Sequence, residues 1–203
     1  MTQRERMNQG LVYDPFDEEV AAFQRECMEV LYDFNLTRPN ELEKRQQLLK
    51  SMFGKIGEGC YIEPPLHSNF GARHVFMGND VYANYNLTLV DDGNIYIGDN
   101  VMFAPNVIVA TAGHPIIPEL RLRGLQFNKD VHIGNNVWIG AGAILMPGVS
   151  IGDNTVIGAG SIVTKDIPSN VVAVGNPCHV LRPIGEKDIK YFYKDEEIDW
   201  ENL

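Results

Sequence analysis

The hydrophobic residues of this chain follow one period up to residue 54 and a different period after it. In the first part they recur at three- and four-residue spacing in two groups, Val20, Phe23, Cys27, Val30 and Leu31, then Leu42, Leu48, Leu49, Met52 and Phe53. This spacing predicts two amphipathic helices. We expect Asn40 to cap the start of the second helix, because two glutamates follow it, and Gly54 to follow its end.

From about Ile56 an aliphatic residue returns every six positions, most regularly at Ile133, Ile139, Leu145, Ile151, Ile157 and Val163. Mostly small residues stand two positions before these aliphatics, so a large and a small side chain point to the same side of a short strand. Three positions after them stand Asn136, Gly142, Gly148, Asn154, Gly160 and Asp166. These residue types tolerate left-handed backbone and predict a bend after each strand.

Short strands joined by regular bends are expected to close into a coil of three strands and about eighteen residues, stacked on the next coil. A helix is excluded here, because a period of six fits no helix and Pro147 with the glycines would break one. The sequence therefore predicts a mainly β protein with a parallel solenoid over residues 55–185. A helical segment precedes it at residues 1–54, and a C-terminal tail follows at 186–203.

The six-residue period stops after His114 and returns at about residue 131. We interpret residues 115–130 as a loop inserted at a bend of the solenoid, and patternless insertions of this length are usually functional. His114 stands at the root of this loop, where the rigid coil would hold a catalytic group firmly. Imidazole is well suited to accept a proton near neutral pH. The alternative is a histidine whose ring is merely satisfied by backbone hydrogen bonds.

Composition and charge exclude several kinds of binding partner and cellular location. The formal net charge of -10 and the absence of a basic stripe argue against a nucleic-acid partner. The three cysteines, Cys27, Cys60 and Cys178, are odd in number and widely spaced, which fits reduced thiols better than disulfides or a zinc site. The N-terminus lacks the apolar region of a signal peptide, and no apolar run approaches a membrane span. We therefore expect a cytoplasmic protein without membrane contact.

The repeat segment IGNNVWIGAGAILMPGVSIGDNTVIGAGSIVTKDIPSNVVAVGNP resembles the hexapeptide-repeat acyltransferases. Five further segments narrow the resemblance to the galactoside/maltose O-acetyltransferase group. They are LYDFNLTRPNELEKRQQLLKSMFGKIG, IEPP, YANYNLTLVDD, IGDNV and GHP. This resemblance covers the chain from about Tyr13 to Arg182. It implies a left-handed parallel β-helix and a homotrimer with active sites in the clefts between subunits. It also implies transfer of an acetyl group from acetyl-CoA to a hydroxyl of a sugar or sugar-like acceptor.

The same resemblance assigns roles to individual residues. The histidine of GHP, His114, is the expected general base. Because the reaction forms a tetrahedral oxyanion, we also expect, from the chemistry and not from the resemblance, that the Asn84 amide or backbone N–H groups stabilise it. The implied acceptor-binding residues are Asp14, Asn69, Tyr82, Asn84, Asp92 and Gln126. The implied CoA-binding residues are Trp138, Ala141, Ala159, Thr164, Lys165, His179 and Arg182. Asp92 could instead be a bend residue and Lys165 a solvated surface lysine.

Three positions depart from the pattern of the family or vary within it. Asn69 stands where the family often has Ser or Asp, and Gln126 occupies an acceptor-pocket position that we expect to vary with the substrate. The identity of the acceptor therefore stays open. His179 stands where the first of two arginines is usual, so we expect weaker or pH-dependent binding of the CoA phosphate.

Two other functions, and a metal site, are alternatives to the acetyltransferase interpretation. Related solenoid enzymes acetylate antibiotic hydroxyls, but they usually carry a longer loop and lack the N-terminal helical pair. A solenoid that binds ligands without catalysis is the other alternative. We expect no metal site, because solenoid carbonic anhydrases need three converging histidines and Glu119 stands where the second would be.

Overall fold

In the computed structural model, which describes all 203 residues, three helices form the N-terminal segment. They are α1 (Gln3–Asn8), α2 (Glu18–Asn35) and α3 (Leu42–Met52). Helices α2 and α3 confirm the two predicted amphipathic helices, and α2 buries Val20, Cys27, Leu31 and Phe34 along one side. The sequence pattern missed α1 because six residues are too few to show a period. A capping box between Thr2 and Glu5 stabilises its start.

The predicted cap of α3 is wrong. Glu41, not Asn40, is the residue before the first helical position, and no side chain caps the free N–H groups. The Glu41 carboxylate instead accepts a hydrogen bond of 2.7 Å from the Arg38 N–H, which organises the preceding turn. The helix ends at Met52, two residues before Gly54, as expected.

The rest of the chain coils into three parallel sheets, which the chain visits in the order sheet 1, sheet 2, sheet 3. Sheet 1 contains β1 (Tyr61–Ile62), β4 (Tyr82–Ala83), β7 (Met102–Phe103), β12 (Trp138–Ile139), β15 (Val156–Ile157) and β17 (Val171–Val174), and β18 (His179–Pro183) adds antiparallel to its end. Sheet 2 contains β2 (His67–Ser68), β5 (Thr88–Val90), β8 (Ile108–Ala110), β13 (Ile144–Leu145) and β16 (Ile162–Val163). Sheet 3 contains β3 (Val75–Met77), β6 (Ile95–Ile97), β11 (Val131–Ile133) and β14 (Ser150–Ile151). The predicted parallel solenoid is confirmed.

The register follows the predicted coil length in the second half of the solenoid. Trp138 pairs with Val156 and Ile144 with Ile162, one eighteen-residue coil later. The first coils are longer, since Tyr61 pairs with Tyr82. Longer bends explain why the six-residue period is hard to follow before residue 95.

The inward-facing residues of the repeat have the predicted burial, and its bend residues have the predicted left-handed backbone with one exception. The inward column is buried, with Val137, Ile139 and Leu145 all 0% exposed. All the predicted bend residues except Asp166 have positive φ, namely Asn136, Gly142, Gly148, Asn154 and Gly160. The prediction for Asp166 is wrong, and its carboxylate instead accepts a 2.8 Å hydrogen bond from the Ser150 N–H of the previous coil.

The predicted inserted loop leaves the solenoid at the bend between sheets 2 and 3. Its base is an antiparallel pair, β9 (Ala112–Gly113) with β10 (Phe127–Asn128), and it contains the short helix α4 (Pro118–Arg121). The coil resumes undisturbed, because Val131 pairs with Ile95 on the coil that precedes the loop.

The C-terminal tail contains α5 (Glu186–Lys190), the hairpin of β19 (Tyr191–Tyr193) and β20 (Glu196–Glu197), and a 3₁₀ turn at Trp200–Asn202. All three cysteines are free and buried. None of the helices has the length and apolar character that a membrane span requires. A cytoplasmic location stays a prediction.

Candidate functional site

His114 follows β9 directly, and the returning side of the loop fixes the orientation of its ring. Its Nδ1 lies 2.8 Å from the Leu125 carbonyl oxygen. A carbonyl oxygen can only accept, so Nδ1 carries the hydrogen and the neutral ring has its lone pair on Nε2. The side chain is exposed, and Nε2 makes no hydrogen bond within the chain. The ring is therefore oriented by the backbone and still free to act as a base.

Three of the expected acceptor residues meet at the same bend of the solenoid. Asp92 is 6% exposed, and its Oδ1 accepts a 2.7 Å hydrogen bond from Gln126 Nε2. Its Oδ2 accepts another of 2.7 Å from Asn69 Nδ2. Gln126 directly follows Leu125, the residue that holds His114. The structure thus brings Asn69, Asp92 and Gln126 into one hydrogen-bonded cluster beside the loop root.

The neighbouring carboxylate of Asp91 holds the turn that carries Asn69. Its Oδ1 accepts hydrogen bonds from Ser68 Oγ at 2.5 Å and from the Phe70 N–H at 2.8 Å. The residue is 0% exposed, and burial raises the pKa of its carboxyl. Asp91 therefore stabilises the backbone of this turn, whereas the Asp92 carboxylate forms its hydrogen bonds with the cluster.

Sequence reasoning missed two members of the cluster, Tyr13 and Asn128. The Tyr13 hydroxyl accepts a hydrogen bond from Gln126 Nε2 and lies 3.5 Å from both Asp92 Oδ1 and Asn128 Oδ1. Asn128 Nδ2 donates to the Asp92 carbonyl at 2.9 Å. Burial and the nearby Asp92 raise the pKa of Tyr13, which is 1% exposed. The only sequence signal for Tyr13 was its position next to the expected ligand Asp14.

Asp14 lies beside the loop without joining this cluster. Tyr13 and Gln126 pair through their backbones, which places Asp14 near the returning strand. The Asp14 carboxylate accepts a 2.9 Å hydrogen bond from the Phe16 N–H. Asp14 also lines a cavity of about 430 Å³ together with Arg123 and other residues of both segments.

Tyr82 and Asn84 lie elsewhere, at the end of β4 and the bend between sheets 1 and 2. Tyr82 is 38% exposed and stacks on Tyr61 with ring centroids 6.2 Å apart. Asn84 Oδ1 accepts a 2.8 Å hydrogen bond from the Tyr85 N–H, and its Nδ2 has no partner in the chain. Within one chain the structure does not bring these two residues into contact with Asp92 or His114.

Five of the seven expected CoA residues divide between the same two bends. Trp138 and the exposed alanines Ala141 and Ala159 belong to the bend of Asn84, and Ala159 lies one coil above Ala141, whose carbonyl accepts from the Gly160 N–H at 2.8 Å. Thr164 and Lys165 are exposed at the bend of Asp92. The bends between sheets 1 and 2, which include that of Asn84, form a row that we call the sheet 1–2 edge. The bends between sheets 2 and 3, which include that of Asp92, form the sheet 2–3 edge.

The two residues of β18 that we expect to bind a phosphate of CoA both form hydrogen bonds within the chain. Two guanidinium nitrogens of Arg182 donate to the two carboxylate oxygens of Asp188, each at 2.7 Å. The hydrogen bonds between them raise the pKa of Arg182 and lower that of Asp188 to about 2. His179 is exposed, with Nδ1 3.3 Å from the Pro177 carbonyl oxygen.

No group of three or more His, Cys, Asp or Glu side chains is placed to hold a metal ion.

Two family models match the chain. Residues 6–57 match the maltose acetyltransferase hexapeptide capping motif, which corresponds to the helical segment. Residues 130–165 match the bacterial transferase hexapeptide model of six repeats, which corresponds to the regular coils after the loop.

Relatives and solved structures match over nearly the full length. The galactoside O-acetyltransferase of Lactococcus lactis is 51% identical over 194 residues, which cover 96% of this chain and 94% of that protein. A galactoside acetyltransferase solved in complex with coenzyme A has a TM-score of 0.94 at 46% identity, covering 98% of this chain and 99% of the other. A maltose O-acetyltransferase from Clostridium difficile 630 has a TM-score of 0.89 at 46% identity, covering 92% and 99%.

Proposed function

This chain belongs to the galactoside/maltose O-acetyltransferase group of hexapeptide-repeat proteins, and on that premise we propose that it transfers acetyl from acetyl-CoA to a sugar hydroxyl with His114 as general base. The observation that carries the role of His114 is its hydrogen bond of 2.8 Å to the Leu125 carbonyl. This bond leaves Nε2 as the only basic atom of the ring.

The reaction needs one proton to move twice. The acceptor hydroxyl oxygen attacks the thioester carbonyl carbon while His114 Nε2 removes its proton, and a tetrahedral oxyanion forms. When the carbon–sulfur bond breaks, the imidazolium returns the proton to the leaving thiolate. The Leu125 carbonyl stabilises the imidazolium in between. No acyl-enzyme is needed, because two substrates held in one cleft react directly.

Asn84 supports the oxyanion in this proposal. Because its Oδ1 accepts from the Tyr85 N–H, the amide presents Nδ2 and its two hydrogens to solvent. A fixed pair of N–H donors is the group that stabilises a developing oxyanion. Asn84 and His114, however, lie on different edges of the solenoid.

A complete site therefore requires two copies of the chain. The sheet 2–3 edge carries His114 and Asp92, and the sheet 1–2 edge carries Asn84 and the alanines that line the expected path of the pantetheine arm. When the sheet 1–2 edge of one copy meets the sheet 2–3 edge of the next, base and oxyanion donor face each other. Such a head-to-tail contact closes into a ring of three when each copy is rotated by a third of a turn from the last. We propose a homotrimer with three equivalent clefts.

The remaining expected ligands fit this cleft. Ala141 and Ala159 leave the backbone accessible along the sheet 1–2 edge. Lys165 is exposed and forms no ion pair, so its ammonium group is available to a phosphate of CoA. Asp92 and Asn69 offer the carboxylate and amide groups that sugar hydroxyls bind.

The test of His114 follows CoA release with a thiol-reactive dye, which the buried cysteines of the protein should not consume. The acceptors are galactosides, maltose, glucose and an antibiotic that bears a hydroxyl. We expect His114→Ala to lower kcat by roughly 10² to 10⁴. The control is His132→Ala, since His132 is exposed on sheet 3 and stacks on Tyr96 at 4.8 Å.

Each outcome of this assay has a meaning. Full activity of His114→Ala would contradict the role of general base. Turnover of the antibiotic alone would identify a xenobiotic acetyltransferase. Binding of acetyl-CoA without turnover of any acceptor would identify a solenoid binding protein.

The shared cleft has its own test in mixed trimers. His114→Ala and Asn84→Ala are each expected to be nearly inactive. After the two are unfolded and refolded together in equal amounts, about one cleft in four combines an intact His114 with an intact Asn84 from the neighbouring copy. We expect about a quarter of the wild-type activity. If both residues act within one chain, mixing restores nothing.

A further inference from the structure

A cavity of about 430 Å³ lies between the N-terminal segment and the inserted loop. Its polar lining consists of Gln3, Arg6 and Asp14 from the N-terminal segment and Arg123 from the loop. Ligand sites in proteins are typically cavities of about 300–1,000 Å³ with a few convergent polar groups. The charges of these four residues therefore determine which ligand the cavity can bind.

Two arginines without a carboxylate partner line this cavity. Neither Arg6 nor Arg123 forms an ion pair with any residue of the chain. Arg6 donates from Nε to the Val12 carbonyl at 2.7 Å, which leaves its two terminal nitrogens free. A guanidinium group is always charged, and its planar N–H groups match the oxygens of a carboxylate or phosphate. Two unpaired guanidinium groups are thus available to one anion, in a chain whose formal net charge is -10.

The single carboxylate of the cavity does not neutralise these arginines. Asp14 forms no ion pair, and its carboxylate accepts a 2.9 Å hydrogen bond from the Phe16 N–H instead. Gln3 Oε1 accepts a hydrogen bond of 2.9 Å from the Asp14 N–H, so Gln3 Nε2 keeps its two hydrogens for a ligand. Two arginines against one aspartate leave the lining side chains with a net charge of +1. The cavity therefore favours an anion.

The backbone holds both arginines in place. Arg123 precedes Gly124, which has φ +72° and on which a Cβ would collide with the Phe16 ring. The loop therefore packs directly on the N-terminal segment beside Arg123. The hydrogen bond from Arg6 to Val12 ties α1 to the same segment. The cavity is preformed, so an anion can bind with little reordering of the chain.

The cavity shares two residues with the surroundings of the general base. Leu125 lines the cavity, and its carbonyl oxygen lies 2.8 Å from His114 Nδ1. Tyr13 also lines the cavity, and its hydroxyl lies 3.5 Å from Asp92 Oδ1. A molecule whose hydroxyl reaches His114 can therefore place a second group in the cavity.

We propose that this cavity is an anion site in which Arg6 and Arg123 bind a carboxylate or phosphate group of the acceptor. The preferred acceptor is then an anionic sugar, a sugar phosphate or a sugar acid, rather than a neutral glycoside. The resemblance to the family assigns no role to either arginine. This inference rests on the proposed function, because it requires an acceptor hydroxyl at His114.

The experiment measures kcat/KM at saturating acetyl-CoA for galactose and glucose, and for the 1-phosphate, the 6-phosphate and the uronic acid of each. The two phosphates place the anion at different ends of the molecule, so at most one of them blocks the hydroxyl that reacts. For the wild type we expect the best anionic sugar to exceed its neutral parent by at least about tenfold, mainly through a lower KM. Added salt should reduce this preference, because Arg123 is exposed.

Variants of the arginines test the site directly. Arg123→Gln should lower the ratio of kcat/KM for the anionic sugar to that for its neutral parent by about tenfold. Arg123→Lys keeps the charge without the planar group and should lower the ratio less. Arg121→Gln is the matched control, because it removes the same charge from the end of α4, and Arg121 does not line the cavity. Arg6→Gln should act like Arg123→Gln; should it not fold, as circular dichroism would show, the Arg123 variants decide alone.

The outcomes separate the anion site from the proposed function. Equal kcat/KM for anionic and neutral sugars, or the same loss of preference in Arg121→Gln, would overturn the anion site and leave a sugar acetyltransferase. Inorganic phosphate offers the same chemistry without an acceptor. If it changes the acetylation of galactose by the wild type but not by Arg123→Gln, and anionic sugars are not preferred, the cavity binds a free anion and the assignment to the acceptor is wrong. If the wild type acetylates no sugar, the proposed function and this inference both fail.

Discussion

Replacing Asp188 by asparagine is expected to tighten the binding of CoA. In the structure Arg182 donates two hydrogen bonds of 2.7 Å to the Asp188 carboxylate. Arg182 is an expected ligand of a CoA phosphate, and it must leave Asp188 before it can reach one. The free energy of the Arg182–Asp188 pair therefore opposes CoA binding. Asparagine has nearly the shape of aspartate but offers one oxygen and no charge, so it holds the guanidinium more weakly.

The exposure of the pair limits the size of this effect. The side chains of Arg182 and Asp188 are 46% and 29% exposed, so water screens the two charges considerably. Exposed ion pairs contribute about 0–1 kcal/mol, and a bidentate pair that is partly shielded belongs near the upper end. About 1 kcal/mol corresponds to roughly fivefold in Kd. We therefore expect Asp188→Asn to lower the Kd of CoA by up to about fivefold.

Isothermal titration calorimetry with CoA and with dephospho-CoA measures this effect. A gain for CoA alone would place Arg182 on the 3′-phosphate, and an equal gain for both ligands would place it on the diphosphate. The control is Glu197→Gln, which removes the carboxylate of another exposed pair, 3.2 Å from Lys190. An unchanged Kd for both ligands, or the same gain in the control, would refute the reasoning.

Three further predictions concern stability. Because the pKa of Asp188 is lowered to about 2, its ion pair should stabilise the fold above about pH 4 and lose this effect as the pH falls toward 2; the Tm difference between wild type and Asp188→Asn, at most about 4 °C at pH 6, should shrink on acidification in calorimetry. Gly142→Ala should cost about 1 kcal/mol in urea unfolding because Gly142 has φ +68°, whereas Gly185→Ala, with equally open space and negative φ, should not. Leu145→Ala should cost about 2–5 kcal/mol, since Leu145 is 0% exposed in the solenoid core; a loss below about 1 kcal/mol would mean that the coil closes around the gap.

The solenoid was determined by local sequence pattern. A six-residue period sets which side chains face inward, and residues that tolerate left-handed backbone set the bends, so both can be predicted without knowledge of distant contacts. Two local details were predicted wrongly. Asp166 does not have positive φ, and a carboxylate from Glu41 rather than Asn40 organises the turn before α3.

The location of the site could be predicted in part. The interruption of the repeat marked His114, and the resemblance to a family marked Asp92 and Gln126. Two facts followed only from the coordinates of the whole chain: Asn84 lies on a different edge from His114, and the expected phosphate ligand Arg182 is already paired with Asp188.

What only the tertiary structure decided is how these side chains are oriented. The Leu125 carbonyl fixes the tautomer of His114 from the far side of the loop, and Tyr13 reaches Asp92 from the other end of the chain. Such contacts join residues far apart in sequence, and no periodicity records them. The sequence by itself determined the coil, because each bend and each inward residue depends on its neighbours in the chain. The direction of the Gln126 amide and the free nitrogen of His114 depend on hydrogen bonds that exist only once the coil, the loop and the N-terminal segment have packed together.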